Sequence, residues 1–413
     1  MSIIKTLHIR AFKSILEQTV DLGQLNVFIG TNGAGKSNVL EALGILSSSA
    51  AGGITYAGMA ERGVRLSAPA VFKSAFANIK RKKNFHLECE FDRLFYSINI
   101  NSSDDSTQQH PFNYHAERIA RGKKTSEKIA GRSNSYTGVF GIRSFDKSSL
   151  KNHRSIVAAA ESLGAFKDKE LELLDALKNY AIYAPSTPIL RGVANDESKV
   201  SPLGLYGGGL VNALGDILGD KTARKYLSNF FDLLDWFNRI GIERPSRALQ
   251  SSHIHTGPHV ISFKDNFMKR KFKDLYAYDV SEGALYVLFV LLLLYHPKAP
   301  KIFALDNVDN SLNPGLVINL ITHLSKFLDN HPDRQLFITT HNPTALDAID
   351  LFNPSHRLFV VKRGAKGDTV FDRIEPPEGM TKEKWNEQYG NAKLSEIWLS
   401  GVLEGLTPVP DGF

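Results

Sequence analysis

The stretch LNVFIGTNGAGKSNVLEAL, residues 25 to 43, constrains this chain more than any other. Leu25 to Ile29 are largely apolar and read as a buried strand. A glycine-rich turn follows, after which Val39, Leu40, Leu43 and Leu46 share one side of a helix. Between strand and helix, Gly30 to Ser37 fit the phosphate-loop pattern G-x4-G-K-S in the context that pattern requires. Gly30, Gly33 and Gly35 let the backbone wrap a polyphosphate, so that N–H groups along Thr31, Asn32 and Ala34 can face it. The helix behind adds its positive dipole end. Lys36 supplies the cation for β and γ oxygens, and the Ser37 hydroxyl is a ligand for Mg²⁺.

Three downstream stretches answer this loop. In IFALDNVDNSLNP, residues 302 to 314, an apolar strand runs into Asp306, which is placed to hold Mg²⁺ through water as a Walker B carboxylate. A hydrolysing site of this type usually has a glutamate next, to position the attacking water, but here Asn307 follows. A third strand, Gln335 to Thr340, ends at TTHNP and brings His341 to the carboxyl edge of the sheet, where ligands of open α/β sheets collect. His341 is therefore read as a γ-phosphate sensor. Ser281-Glu282-Gly283, in DVSEGALYVL, precede a helix and offer N–H donors and a hydroxyl to a phosphate.

The set GTNGAGKS, VSEGA, FALDNVDNSLNP and TTHNP, in that order, resembles the ABC-type ATPases of the RecF, SMC and OLD group. The opening IKTLHIRAFKS looks like that group's first strand, and LSEIWLSGVLEG like the tail of its shorter bacterial members. The resemblance spans roughly residues 1 to 50 and 270 to 413, with weaker echoes at YAPSTPILRG and LYGGGLVNAL. It implies an α/β P-loop ATPase head with an antiparallel β lobe and an inserted helical subdomain. It also implies ATP and Mg²⁺ as cofactors and a dimer or higher homo-oligomer in which two heads sandwich two ATPs. Lys36 of one head would then face Ser281 and Gly283 of the other, with a D-loop from Asp309 and Asn310 to Asn313 crossing the interface. Among short members with this layout, the stand-alone ATPase subunits of bacterial antiphage systems (Septu-like, PARIS-like) are the most similar. They imply an effector partner in trans, commonly a nuclease. A RecF-like DNA repair ATPase and a non-hydrolysing ATP-gated scaffold are the alternatives.

The sequence departs from the group's pattern at three points. The signature is VSEGA, so Glu282 replaces a glycine and brings a carboxylate toward a triphosphate unless it points away. No Q-loop glutamine stands out between 47 and 100. Asn307 replaces the catalytic glutamate, and an amide cannot act as a general base. It can still orient water, and phosphoryl transfer depends mainly on position and charge, so slow hydrolysis is expected. Asp309, two residues on in the turn, is the candidate substitute carboxylate.

Composition narrows the remainder. The 413 residues, 42% of them hydrophobic, can fill one large or two medium domains. A net charge of +7 permits nucleic acid as a partner without implying it. A single cysteine, Cys89, excludes an internal disulfide framework and a CxxC zinc clip, and points to the cytoplasm. The greasy run ALYVLFVLLLLYH, residues 284 to 296, is too short to span a bilayer and reads as a buried helix, so no membrane association is expected. FHLECEFDRLFYSINI, residues 85 to 100, alternates as a hairpin with one wet face. The polar loop NSSDDSTQQ then suggests a boundary, giving 1–105 and 271–413 as halves of the head and 106–270 as a mainly helical insert. Basic residues between 118 and 132 are the preferred nucleic-acid or partner surface, whereas Lys80 to Lys83, Lys269 to Lys271 and the histidines of HIHTGPH read as solvated. About 70 residues follow His341, too few for the Toprim nuclease domain of larger OLD proteins, so any nuclease is expected in trans.

Overall fold

The computed structural model describes residues 3–105, 107–122, 127–133, 137–141, 150–198, 200–246, 253–254 and 257–401. The chain divides into two compact units: residues 1–182, 300–308 and 328–413 form the first, and residues 183–299 with 309–327 the second.

The first unit contains two sheets. In one, the described strands β1 (Ile4–Phe12), β2 (Ile15–Asp21), β4 (Asn84–Phe91), β5 (Leu94–Ser102), β6 (Phe112–Arg121), β7 (Lys128–Arg132) and β8 (Thr137–Val139) lie in the order β2-β1-β4-β5-β6-β7-β8. Every pair is antiparallel. Alternation in β4 buries Phe85, Leu87, Cys89 and Phe91 and turns His86, Glu88 and Glu90 toward the wetter face. The other sheet has the order β16-β15-β3-β14-β13-β9, from Thr369–Ile374, His356–Arg363, Leu25–Ile29, Gln335–Thr340, Ile302–Leu305 and Ala181–Tyr183. Strands β15, β3, β14 and β13 are parallel, while β16 returns antiparallel on β15 as a late hairpin.

The helix α1 (Lys36–Ala50) follows β3 and is buried on nearly every side. Its apolar residues join the core shared by β1, β4, β5 and β14. Its buried serines are satisfied: Ser49 Oγ meets the hydroxyls of Tyr96 and Tyr114 at 2.6 and 2.5 Å, and Ser47 Oγ donates to Lys178 O at 3.0 Å.

The expected boundary at 105 falls inside the antiparallel sheet. Strands β5 and β6 pair antiparallel up to Ser102↔Phe112, so the chain on either side of this boundary is one hairpin, and β7 and β8 extend the same sheet. The basic stretch 118–132 lies on these strands. Arg132 pairs with the buried Glu117 at 3.0 Å and Arg121 with Glu170 at 3.0 Å, so these two arginines serve the fold rather than an open surface. Lys123 and Lys124 lie outside the described residues, as does His255 of HIHTGPH.

The second unit is not purely helical either. Its three-stranded sheet joins β10 (Phe237–Glu243), β11 (Val260–Asp265) and β12 (Asp274–Tyr276). The helix Glu282–Tyr295 is buried from Ala284 to Leu294, as the greasy run implied. No helix among the described residues is long and apolar enough to cross a membrane.

Candidate nucleotide site

The turn after β3 adopts a conformation that its glycines make accessible. At Gly35 φ is +107°, and a Cβ there would lie 2.2 Å from Thr369 Oγ1 and 2.9 Å from Ser14 Oγ. A Cβ on Gly30 would lie 2.2 Å from the carbonyl oxygen of Val361 on β15. Neither position can carry a side chain without moving the hairpin. Lys36 is only 7% exposed, and its Nζ curls over the turn to donate to Gly30 O at 2.8 Å and Thr31 O at 3.0 Å. The ammonium is thus held inside the turn.

Sheet register brings the Walker B segment to Ser37. Leu305 pairs with Ile338, which sets Asp306 level with Thr339. Ser37 Oγ donates to Asp306 at 3.2 Å (Oδ1) and 3.1 Å (Oδ2), and Thr339 Oγ1 donates to Oδ1. Thr339 also accepts the Asn307 N–H at 2.8 Å. One buried threonine therefore orients both Asp306 and the backbone of Asn307. Asn307 is exposed and has φ of +55°, a left-handed conformation that asparagine tolerates better than most residues. His341 follows the Ile29↔Thr340 pair, so it leaves its strand at the same end of the sheet as Gly30. It is exposed, and Asn342 beside it caps the next turn by accepting from Thr344 N at 3.0 Å.

A second layer supports the loop from residues that local sequence patterns did not single out. Asn38 Nδ2 reaches Ser14 Oγ at 2.6 Å, Ser14 Oγ reaches Thr369 Oγ1 at 2.6 Å, and Thr369 Oγ1 donates to Ala34 O at 2.7 Å. Arg363 donates twice to Gly33 O, at 3.1 and 2.7 Å. The loop opens on a cavity of about 860 Å³, lined by the cations Lys13, Lys36, Arg65, Lys73, Arg81 and Arg363 together with Asn32, Ser37, Phe76 and Asn307. No carboxylate is among its described lining residues. Burial and the nearby Arg65 push the Lys13 ammonium down to about 7, and Lys13 and Arg65 both contact the buried Glu41 carboxylate. The donor set fits a polyphosphate, and the hydroxyl and carboxylate oxygens of Ser37 and Asp306 suit a hard cation such as Mg²⁺.

Ser281, Glu282, Gly283, Asp309 and Asn310 belong to the second unit. Ser281 is exposed and caps the helix Glu282–Tyr295, its Oγ accepting from Ala284 N at 3.4 Å. Glu282 bonds to Thr187 and Ser311, and these hydroxyls, with the Arg191 charge, hold its carboxyl below the usual glutamate value. The Glu282 carboxylate is thus engaged within its own unit. A Cβ on Gly283 would lie 3.0 Å from Ser311 O, so the turn at Ser311 packs directly on Gly283. Asp309 is buried and Asn310 exposed.

Residues 1–203 match a family model described as an AAA ATPase domain, and residues 270–347 one described as an AAA domain, putative AbiEii toxin, Type IV TA system. The fold is similar to that of an SmcHead solved bound to the C-winged helix domain of ScpA: TM-score 0.51, 13% identity, covering 91% of this chain and 99% of that one. The chain has the fold of an SMC-type ATPase head, and models of AAA-type ATPase domains match two parts of it. Two further structures are similar to this ATPase head at lower scores. The SMC head domain from Thermotoga maritima has a TM-score of 0.45 at 14% identity, covering 90% of this chain and 99% of that one. An Smc head with an extended coiled coil, bound to the C-terminal domain of ScpA derived from Pyrococcus furiosus, has 0.48 at 12% identity, covering 94% and 98%. No curated protein matches the ATPase.

Proposed function

We propose that this ATPase binds ATP with Mg²⁺ at the β3–α1 loop, turns it over slowly, and uses the bound state to assemble and to regulate an effector. The observation that carries the reading is the meeting of Ser37 Oγ with both carboxylate oxygens of Asp306, beside the buried Lys36. In this reading the N–H groups from Thr31 to Ser37 and the Lys36 ammonium bind the phosphates, and Ser37 and Asp306 hold the cation. Bound Mg²⁺ would neutralise phosphate charge. Asn307 orients water without taking its proton, and His341 senses the γ-phosphate from the strand end. Ser281 and Gly283 face the nucleotide of a second copy, with Asp309 and Asn310 crossing between the heads.

The effector, a nuclease in bacterial antiphage defence, is the finer part of the proposal. It is supported by the resemblance to Septu-like and PARIS-like ATPase subunits, and by a matched family model whose description includes a putative toxin. The SmcHead solved with a domain of ScpA is a related fold that engages a protein partner. The cytoplasm is the proposed compartment.

Lys36→Ala tests the core of this reading. A charge-assisted hydrogen bond contributes about 1.5–3 kcal/mol, so the variant should bind Mg-ATP roughly ten- to a hundredfold more weakly in titration calorimetry while keeping its thermal unfolding profile. Unchanged affinity would place the nucleotide elsewhere.

A further inference from the structure

The wet face of the antiparallel sheet carries a side-chain cluster that the nucleotide chemistry does not use. His8 on β1 stands directly opposite Glu88 on β4, and His86 lies two residues along β4 on the same face. Glu88 is in the middle: its Oε1 is 3.6 Å from His8 Nδ1 and its Oε2 is 2.9 Å from His86 Nε2. One ligand atom from each of the three residues can be chosen so that all lie within 4.8 Å of one another. The three side chains are partly shielded, 14–22% exposed, so they are neither loose surface groups nor sealed from ions.

We propose that His8 Nδ1, His86 Nε2 and Glu88 form a Zn²⁺ site on this face. A tetrahedral ion with bonds of about 2.0–2.1 Å needs ligand atoms about 3.3 Å apart. The histidine nitrogens lie 3.6 and 2.9 Å from the two oxygens of Glu88, so a small rotation of that carboxylate brings one oxygen to both. Two imidazoles and one carboxylate select a first-row transition ion over Mg²⁺ or Ca²⁺, and Zn²⁺ stands above Mn²⁺ and Fe²⁺ in intrinsic affinity for such ligands. A second feature points the same way. The other nitrogen of His8, Nε2, lies 3.3 Å from Glu17 on β2. With an ion bound, a proton held between Nε2 and Glu17 would leave the Nδ1 lone pair for the metal, the carboxylate–histidine–metal arrangement common at zinc sites. Three protein ligands leave a fourth position for water. The ion would tie β1 to β4, with β2 engaged through Glu17, on the strand that leads to Lys13 and Ser14 at the nucleotide cavity.

The test uses the full chain, stripped with a chelator and titrated with Zn²⁺ alone, then with Co²⁺ as a spectroscopic substitute. The expected result is saturable binding of one Zn²⁺ per chain, a higher Tm with Zn²⁺, and Co²⁺ absorption bands of a low-coordinate nitrogen and oxygen site. His86→Ala and the isosteric Glu88→Gln should each abolish that binding. Glu17→Gln should weaken it roughly 10–100-fold, the usual cost of losing an orienting partner. His253→Ala, in the other histidine-rich segment, should bind as wild type does. Absence of a one-equivalent transition in the wild type, or wild-type binding by Glu88→Gln, overturns the proposal and leaves a pair of ordinary histidine–carboxylate contacts. Variants are compared only where their metal-free unfolding remains cooperative, and Glu88→Gln, which preserves volume, secures the comparison if His86→Ala does not fold.

Discussion

Asn307 concentrates the chemistry of the site in one side chain. Its left-handed backbone, φ +55°, is held by the Thr339 hydroxyl, which also bonds to Asp306. Replacing it by glutamate leaves both contacts in place, because they use the Asn307 backbone and the neighbouring carboxylate. The change costs about 1–2 kcal/mol of stability, since glutamate tolerates this conformation less well. In return it adds a proton acceptor where the amide has none, and a general base contributes about 10²–10⁴-fold. Steady-state phosphate release by Asn307→Glu should therefore rise at least tenfold, with the ATP-held state shortened accordingly. Asp306→Ala should instead weaken Mg²⁺-dependent ATP binding, which separates the metal role from the base role. Brisk hydrolysis by the wild type, no faster in Asn307→Glu, would sink the slow-switch reading and turn attention to Asp309 or another group.

At the scale of elements, the late hairpin β15–β16 buttresses the phosphate loop from more than 300 residues away. The chain of hydrogen bonds from Asn38 through Ser14 and Thr369 ends on the carbonyl of Ala34, in the middle of the turn. Thr369→Val keeps the shape and cuts the chain, leaving Ala34 O without this buried donor. The expected cost is about 1–3 kcal/mol in denaturant unfolding, with weaker Mg-ATP binding because the loop is less firmly preset. Wild-type stability and affinity in that variant would show that the hairpin only lies beside the loop. This long reach also explains what the sequence could disclose. The positions of Gly30 to Ser37, Asp306 and His341 at the ends of their strands were legible because strand, turn and helix signals sit within a few residues of each. Thr339, the first residue of TTHNP, needed the parallel register of β13 and β14 to gain meaning. Arg363 and Thr369 had no local signal at all. Strands β6 to β8 were missed for a different reason: register shifts at Asn99/Ile100 and Ile119/Ala120 break the period-two pattern that made β4 and β5 obvious. A basic, glycine-containing sequence then resembled an insert. The burial of α1 on nearly every side also exceeded the one-sided stripe read from Val39, Leu40, Leu43 and Leu46.

For the whole molecule, the proposed assembly depends on residues that are not part of the loop's own unit. Ser281 is exposed at the start of a fourteen-residue helix, while the neighbouring Glu282 is occupied by Thr187 and Ser311. This leaves the hydroxyl and the first-turn N–H groups, rather than the carboxylate, as the face offered to a second copy. Ser281→Arg should bind Mg-ATP as wild type does yet fail to show the ATP-dependent rise in mass by light scattering. The substitution also removes a helix cap at a cost of about 1 kcal/mol, so loss of assembly alone could reflect a weakened helix. Ser281→Asn separates the two causes, because asparagine caps as well as serine, adds no charge and is far smaller than arginine. Retained assembly in Ser281→Asn with loss in Ser281→Arg would place the signature at the interface between copies. If the protein assembles equally without nucleotide and as Ser281→Arg, constitutive surfaces hold the copies together, and the nucleotide acts on the partner rather than on the oligomer.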